Sequence, residues 1–337
     1  MLLKKFLQII PIVVGATLVA FFLIRLLPGD PVTNLLGERG GRPEVVAELR
    51  EKYGLDQPIF SQYLIFVKNS LAGEWGSSIV SKQPVFEEFI PRFMATIELS
   101  FFSMLIAVCL GIPLGVLAAT YKNKWPDYLV SSVSLIGYSM PIFWWGLILI
   151  ILFSVRLSWF PVSGRLSVEY DVVYKTGLYL IDAWFSPESF QVFKSAIRHL
   201  ALPSIVLSTI PLAVIARMTR ASMIECLNED YIKSAVSRGV SQWKVYYKHA
   251  LRNALIPVVT TIGIMVGTLL TGAVLTETIF SWPGIGNWLV KSVEARDYPV
   301  IQMGVLYFSL LIIVINLLVE QLNIIIYPKL RIAAKKD

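Results

Sequence analysis

The side chains able to do chemistry in this sequence are few, and their spacing excludes most kinds of it. His199 and His249 stand far apart, and neither a His-Glu-x-x-His string nor a Cys pair at ligand spacing occurs, so no metal set is legible. Cys109 falls in an apolar run and Cys226 beside a polar stretch; both read as small apolar fillers. No serine occupies a nucleophile elbow, and the catalytic set is empty. No Gly-rich loop of the form G-x-x-x-x-G-K-[ST] occurs either, so the chain carries no phosphate cradle for ATP. Glu98, Glu277 and Glu320 lie near the ends of apolar runs, where they suit interface anchoring, with a path or proton-relay role as the alternative.

What remains is a polar, basic island at residues 229–257, EDYIKSAVSRGVSQWKVYYKHALRNALIP, with long apolar runs on either side. Asp230 is placed to cap a helix with its body at 231–238, and Gly239 to end it in the left-handed conformation. Ser241 opens a second helix. There Trp243, Val245, Tyr246, His249 and Ala250 form one aromatic and apolar stripe, while Lys244, Lys248 and Arg252 fall on other faces. This predicts a short helix-turn-helix held against a membrane, serving either as a basic connector between two spans or as a docking surface for a second protein. Ala235, one turn before Gly239, fits a partner groove that admits only a methyl group.

The flanking runs must position that island. Of 337 residues, 55% are hydrophobic and 16% charged, the balance of a polytopic membrane protein. A hydrocarbon core of about 30 Å requires roughly 20 apolar residues per helix. Six runs meet or approach this, at 6–27, 95–120, 128–155, 200–216, 255–280 and 300–327. The amino terminus and residues 121–127, 217–254 and 328–337 together carry 15 basic and 5 acidic residues; the alternate segments carry 14 and 15. The first set is therefore expected in the cytosol, with both termini. The net charge of +7 is this asymmetry and not a nucleic-acid footprint. The expected organisation is a first span at 1–27, a periplasmic segment at 28–94 with short helices, and a five-span core at 95–337 whose cytosolic loop is about 217–254. The first run is too long for a signal-peptide core and lacks a small-residue cleavage site, so it reads as an uncleaved span.

Within the outer segment, Pro43 and Gly54 bracket one helix and Pro58 and Gly73 another. In the second, Phe60, Tyr63, Leu64, Val67 and Leu71 mark one apolar face, bound for the membrane, the rest of the chain or another protein. Gly111, Pro113 and Gly115 are expected to interrupt the second span, its small residues letting helices approach closely, and Ser139, Met140 and Pro141, followed by Trp144, the third. Both interruptions suit gating helices around a cavity, and both also occur in ordinary bundles. The fourth span is short and expected to be broken by Pro203 and Pro211, and the stretch at 178–185 reads as a surface helix.

Several strings carry a family likeness: Asp-Tyr-Ile-x-x-Ala-x-x-x-Gly at 230–239 with HALRNALIP at 249–257, RLLPGDP at 25–31, GSSIVSKQPV at 76–85, TETIFSWPGIG at 276–286, and Arg-Asp-Tyr-Pro at 296–299. Together they span nearly the whole chain and resemble the ABC-importer permeases of the dipeptide, oligopeptide and nickel branch. The general family motif places an acidic residue where this chain has Lys233, a change that the peptide-importer branch tolerates. The resemblance implies an all-α type I ABC-importer permease fold of six transmembrane helices in a bacterial inner membrane. It implies a second homologous permease, two ATP-binding subunits and a periplasmic solute-binding protein as partners, with no cofactor on this chain and ATP bound by the partner subunits. The cargo implied is dipeptides or short peptides; nickel, haem or another small solute is the alternative. A proton-coupled secondary transporter or a membrane enzyme is the alternative class; the first would leave the island unexplained, and the second would need a paired catalytic constellation that the sequence does not offer. The residues implied in ATPase coupling are Asp230, Tyr231, Ala235, Gly239, His249, Ala250, Asn253 and Pro257. Those assigned to the translocation path are Pro113, Ser139, Met140, Pro141 and Trp144.

Overall fold

The structure, a computed structural model, describes residues 2–25, 42–53 and 56–326, and among these residues the elements are all helical. In chain order they are α1 (Leu2–Arg25), α2 (Pro43–Tyr53), α3 (Ile59–Ala72), α4 (Val85–Thr120), α5 (Trp125–Ser139), α6 (Ile142–Arg156), a short α7 (Tyr179–Asp182), α8 (Ser189–Leu227), α9 (Asp230–Ser237), α10 (Gln242–Ile279), α11 (Ile285–Glu294) and α12 (Tyr298–Ile326). The RLLPGDP turn beyond Arg25, Gly54 and the basic tail from 327 lie outside the described residues, as does the Glu320 side chain.

Four helices, α4, α8, α10 and α12, are long and apolar enough to cross a membrane, and α5 with α6 makes a fifth if the bent pair is one span. In α1 the described apolar stretch is Ile10–Phe22, shorter than a full crossing. The break expected in the third span is real: α5 and α6 meet at 105°. Two other expected breaks are absent. The helix α4 runs unbroken through Gly111, Pro113 and Gly115, and α8 continues for 39 residues through Pro203 and Pro211. A proline inside a helix removes one donor, which neighbouring packing can compensate, whereas at Pro141 the preceding Met140 is extended and the direction changes.

The chain divides into two compact units. The first comprises Met1–Ala95 and Pro283–Val314. Its core joins Ala20, Val85, Phe89, Ile285, Trp288 and Val300, and the Trp75 ring stacks on Tyr307 at 3.6 Å. In α3 the expected apolar face divides: Phe60, Leu64 and Leu71 stay exposed, while Tyr63 bonds Thr17 at 2.7 Å and Phe66 packs on the core. The face that packs is thus rotated from the one the hydrophobic spacing marks, because α3 meets α1 through the Tyr63 hydroxyl and the Phe66 ring. The 76–85 string also gains a physical account. The buried Asp297 carboxylate accepts the Ser78 hydroxyl and the N–H groups of Ile79 and Val80, so the Arg-Asp-Tyr-Pro string fastens this turn.

The second unit comprises Thr96–Trp282 and Ile315–Asp337. Its axis is α8 packed along α10, with α4 pressed against α8 through Gly111 and Gly115. A Cβ on Gly115 would meet Thr219 Cβ at 2.5 Å and the Ala216 carbonyl at 2.6 Å, so the backbones approach as only glycine allows. Glu98, expected as an interface anchor or relay, is instead buried in an ion pair. Arg165 Nε donates to it at 3.0 Å, Leu180 N–H at 2.9 Å, and Arg165 lies over the Tyr179 ring. Glu277 is buried and accepts the Thr96 hydroxyl at 2.6 Å.

The loop before α7 closes on Asp182. Burial pushes this carboxyl up, but the N–H groups of Thr176, Gly177 and Lys175 and the Thr176 hydroxyl outweigh burial and hold it below the usual carboxylate range. A depressed folded value means that the stabilisation is fully present above the unfolded carboxylate pKa of about 3.9 and is lost as pH falls through the lower folded value. Amide exchange at Thr176 and Gly177 is therefore expected to stay protected at pH 5 and to rise only below about pH 4. Asp182→Asn should weaken the protection at neutral pH and remove its acid dependence; an unchanged profile would refute the assignment.

Candidate coupling site

The island forms at the end of α8, where Asn228 N–H closes the last turn on Glu225 and Glu229 takes the extended N-cap position. The cap therefore lies one residue earlier than the expected Asp230, which is the first helical residue and pairs with Lys233 at 2.8 Å. That pair holds the Asp230 carboxyl below its ordinary range and raises the Lys233 ammonium, and both groups are exposed. A carboxylate in the first turn also faces the positive end of the helix dipole.

The end of α9 is a Schellman motif. Gly239 has φ of +77°, its N–H bonds Val236 O at 2.9 Å, and Val240 N–H bonds Ala235 O at 3.2 Å. Val240 then folds back onto the apolar cluster beneath. The left-handed position inferred from sequence is thus occupied by the residue named for it, and Ser241 is the N-cap of α10 as expected.

The second helix departs from the expected stripe. Its residues Val245–Ala250 form a π-helix, in which bonding partners lie five apart. Both ends of that segment, Val245 and Ala250, are buried together with Ile232 of α9, Met223 of α8 and Val116 and Ala119 of α4. Trp243, assigned to the same stripe, is 67% exposed and packs on Tyr247, itself 41% exposed, with ring centroids 3.9 Å apart. Tyr246 and His249 are partly buried. An ordinary α-helical period cannot anticipate this wide turn, and nothing in the residue types signals it.

Of the residues assigned to coupling, Tyr231 and Asn253 are brought together: Asn253 Nδ2 donates to the Tyr231 hydroxyl at 2.9 Å and clasps α9 to α10. Burial pushes the Tyr231 phenol up, against the Asn253 bond, so it stays protonated at neutral pH. Pro257 is exposed on α10. Ala235 is only 2% exposed, so its methyl faces the chain's own packing and not an open groove. A charge at that position would damage the fold before any partner contact. The exposed aromatic and large apolar side chains of the island are Tyr231, Val236, Trp243 and Tyr247, and Lys244, Lys248 and Arg252 are exposed on the same stretch. Aromatic rings rimmed by cations are the composition of a protein-docking surface.

Like the Glu98–Arg165 pair, a second ion pair was missed in the sequence. Arg220 on α8 grips Asp127 at the start of α5 with two donors, Nη2 lying 2.7 Å from Oδ2, and Asn123 N–H adds a third at 2.9 Å. The pair ties the short 121–127 loop to the helix that leads into the island. Its signal was two opposite charges placed at the same ends of two neighbouring spans. Of the residues assigned to the path, Ser139, Met140, Pro141 and Trp144 gather at the α5–α6 bend, where Ser139, Pro141 and Trp144 are exposed; Pro113 sits apart, on α4.

Residues 111–332 match the family described as binding-protein-dependent transport system inner membrane component, and residues 1–100 match the N-terminal region of such membrane components. The chain is 53% identical over 323 residues, 96% of each chain, to the di/tripeptide transport system permease protein DppB of Pseudomonas aeruginosa. It is 49% identical over 336 residues, 98% of each, to the dipeptide transport system permease protein DppB of Escherichia coli. It is 40% identical over 329 residues, 98% of each, to the glutathione transport system permease protein GsiC of Escherichia coli. An inward-facing structure of the MetNI methionine ABC transporter shares the fold, with a TM-score of 0.54 and 16% identity over 71% of this chain and 96% of that one. The chain belongs to the inner-membrane component family of binding-protein-dependent transport systems, as a transport subunit and not an enzyme.

Proposed function

We propose that this chain is the permease subunit of an ATP-driven importer that carries dipeptides or short peptides across the bacterial inner membrane. The observation that carries the reading is the full-length identity to two dipeptide permeases. In this reading a second homologous permease completes the passage, a periplasmic solute-binding protein delivers the cargo, and two ATP-binding subunits dock on the island. ATP is bound by those subunits, since this sequence offers no phosphate loop. The chain crosses the membrane six times with both termini in the cytosol, α1 and the α5–α6 pair each counting once.

Coupling follows from the rigidity of the island. The Schellman turn, the Tyr231–Asn253 bond and the buried Ile232, Val245 and Ala250 join it to α4, α8 and α10 as one body. When the ATPase subunits close, the island moves with them and its helices carry the displacement into the membrane, while the α5–α6 bend absorbs the change in direction.

Gly239→Pro tests this reading. Proline cannot reach positive φ, so the turn that aims the two short helices is lost. Labelled-dipeptide uptake is expected to fall to background while the chain still inserts, and Gly239→Ala, which has room but the wrong φ, should give an intermediate loss. Normal uptake by Gly239→Pro would reduce the island to a connector.

The topology is tested by single cysteines in a background lacking Cys109 and Cys226. An impermeant reagent applied from outside is expected to label position 294, exposed at the end of α11, and to spare 122 and 239; external labelling at 239 would invert the assignment.

A further inference from the structure

Between the 161–170 loop and α8 the second unit holds a cavity of about 480 Å³ that the island and the α5–α6 bend do not touch. Its volume is in the range of small-ligand sites. One wall is a single face of α8, with Gln191, Lys194, Ser195 and Arg198 at three- and four-residue spacing. The opposite wall is the loop bearing Glu169 and Tyr170. The walls are held in place: Ser167 bonds Ser195 through its N–H at 3.1 Å and its hydroxyl at 3.0 Å, and Arg198 donates to Trp159 O at 2.7 Å. His199 lines the same space at only 7% exposure. Its Nδ1 donates to Ser195 O at 2.8 Å, which makes Nε2 the acceptor nitrogen of the neutral ring, and Nε2 has no partner among the described residues. The side chains of Lys194 and Glu169 likewise form no ion pair with one another, although they share the cavity.

Two cations on one wall, a carboxylate on the other and the acceptor nitrogen of the neutral His199 ring suit a ligand with charges of both signs. We infer that this cavity binds a small zwitterion, with its anionic group at Lys194 and Arg198 and its ammonium at Glu169 and His199 Nε2. Two sources share that chemistry: a free short peptide, which rests on the function proposed above, and a phosphoethanolamine lipid headgroup.

The test uses the purified full chain in lipid-free detergent, without a binding protein. The probes are labelled alanyl-alanine, its N-acetylated form and glycerophosphoethanolamine. Saturable binding of alanyl-alanine or glycerophosphoethanolamine is expected, and which of the two binds identifies the source. Glu169→Gln and the double variant Lys194→Gln/Arg198→Gln should each weaken it by about tenfold or more. N-acetylation, which removes the ammonium, should weaken alanyl-alanine equally. Absence of saturable binding by either zwitterion, or equal binding by both variants, overturns the inference. Dipeptide uptake by the assembled wild-type importer is measured beside it: uptake without binding sinks the cavity alone, and absence of uptake sinks the proposed function.

Discussion

Arg165→Met, with Glu98 left in place, is expected to destabilise the purified permease by about 3–5 kcal/mol, the cost of leaving one member of a buried ion pair without its partner. The two side chains are 5% and 3% exposed, so water cannot take over the role of the missing group. Arg165 also donates to Gly177 O at 2.7 Å and lies over the Tyr179 ring, so its loss releases the 165–180 loop as well. Glu98→Gln should cost less, because an amide oxygen can still accept the Leu180 N–H. The double variant Glu98→Gln/Arg165→Met should recover part of the single loss, since no unpaired charge remains. Thermal unfolding in detergent of all four proteins gives the coupling between the sites. A single variant as stable as wild type, or a double variant whose loss equals the sum of the singles, would show that the pair carries no weight.

Gly115→Val is expected to prevent α4 from seating on α8. The Cβ alone would sit 2.5 Å from Thr219 Cβ and 2.6 Å from the Ala216 carbonyl, and that carbonyl belongs to helix backbone that cannot rotate aside. Gly115→Ala already demands a shift of one helix and should cost about 1–3 kcal/mol, the range for overpacking; two further methyl groups extend the clash. The measurement is recovery of monodisperse protein and its unfolding temperature. Gly272→Ala is the control, because a Cβ there meets nothing within 4 Å and replaces glycine in a helix with a better helix former. Equal behaviour of Gly115→Val and Gly272→Ala would mean that the α4–α8 approach is looser than the structure has it.

Much of this molecule follows from residue order. The polytopic helical class rests on apolar runs of bilayer length, and the island stands out because it is the long polar stretch between two of them. Gly239 is legible because the left-handed end of a helix is a local requirement, met within four residues. The α5–α6 break is legible for the same reason, since a proline restricts the residue before it. The family strings at 230–257 point to coupling without any geometry.

Tertiary structure decided the rest. Gly111 and Gly115 suggested both a break and a close helix approach, and only the approach is present, because whether a small residue bends its own helix or admits another depends on what lies across from it. Trp243 and Val245 were assigned to one face, and the π turn separated them, burying one and exposing the other. Ala235 suited a partner groove by size, yet its own chain fills the space around it. The Glu98–Arg165 and Asp127–Arg220 pairs join residues 67 and 93 positions apart, and no local period carries that information. Local backbone preference and hydrophobic length are properties of a few neighbouring residues, and the sequence by itself determines them. Which face is buried, which charge finds its partner and where two helices touch are set by the packing of distant segments, and these are what fasten the island to α4, α8 and α10.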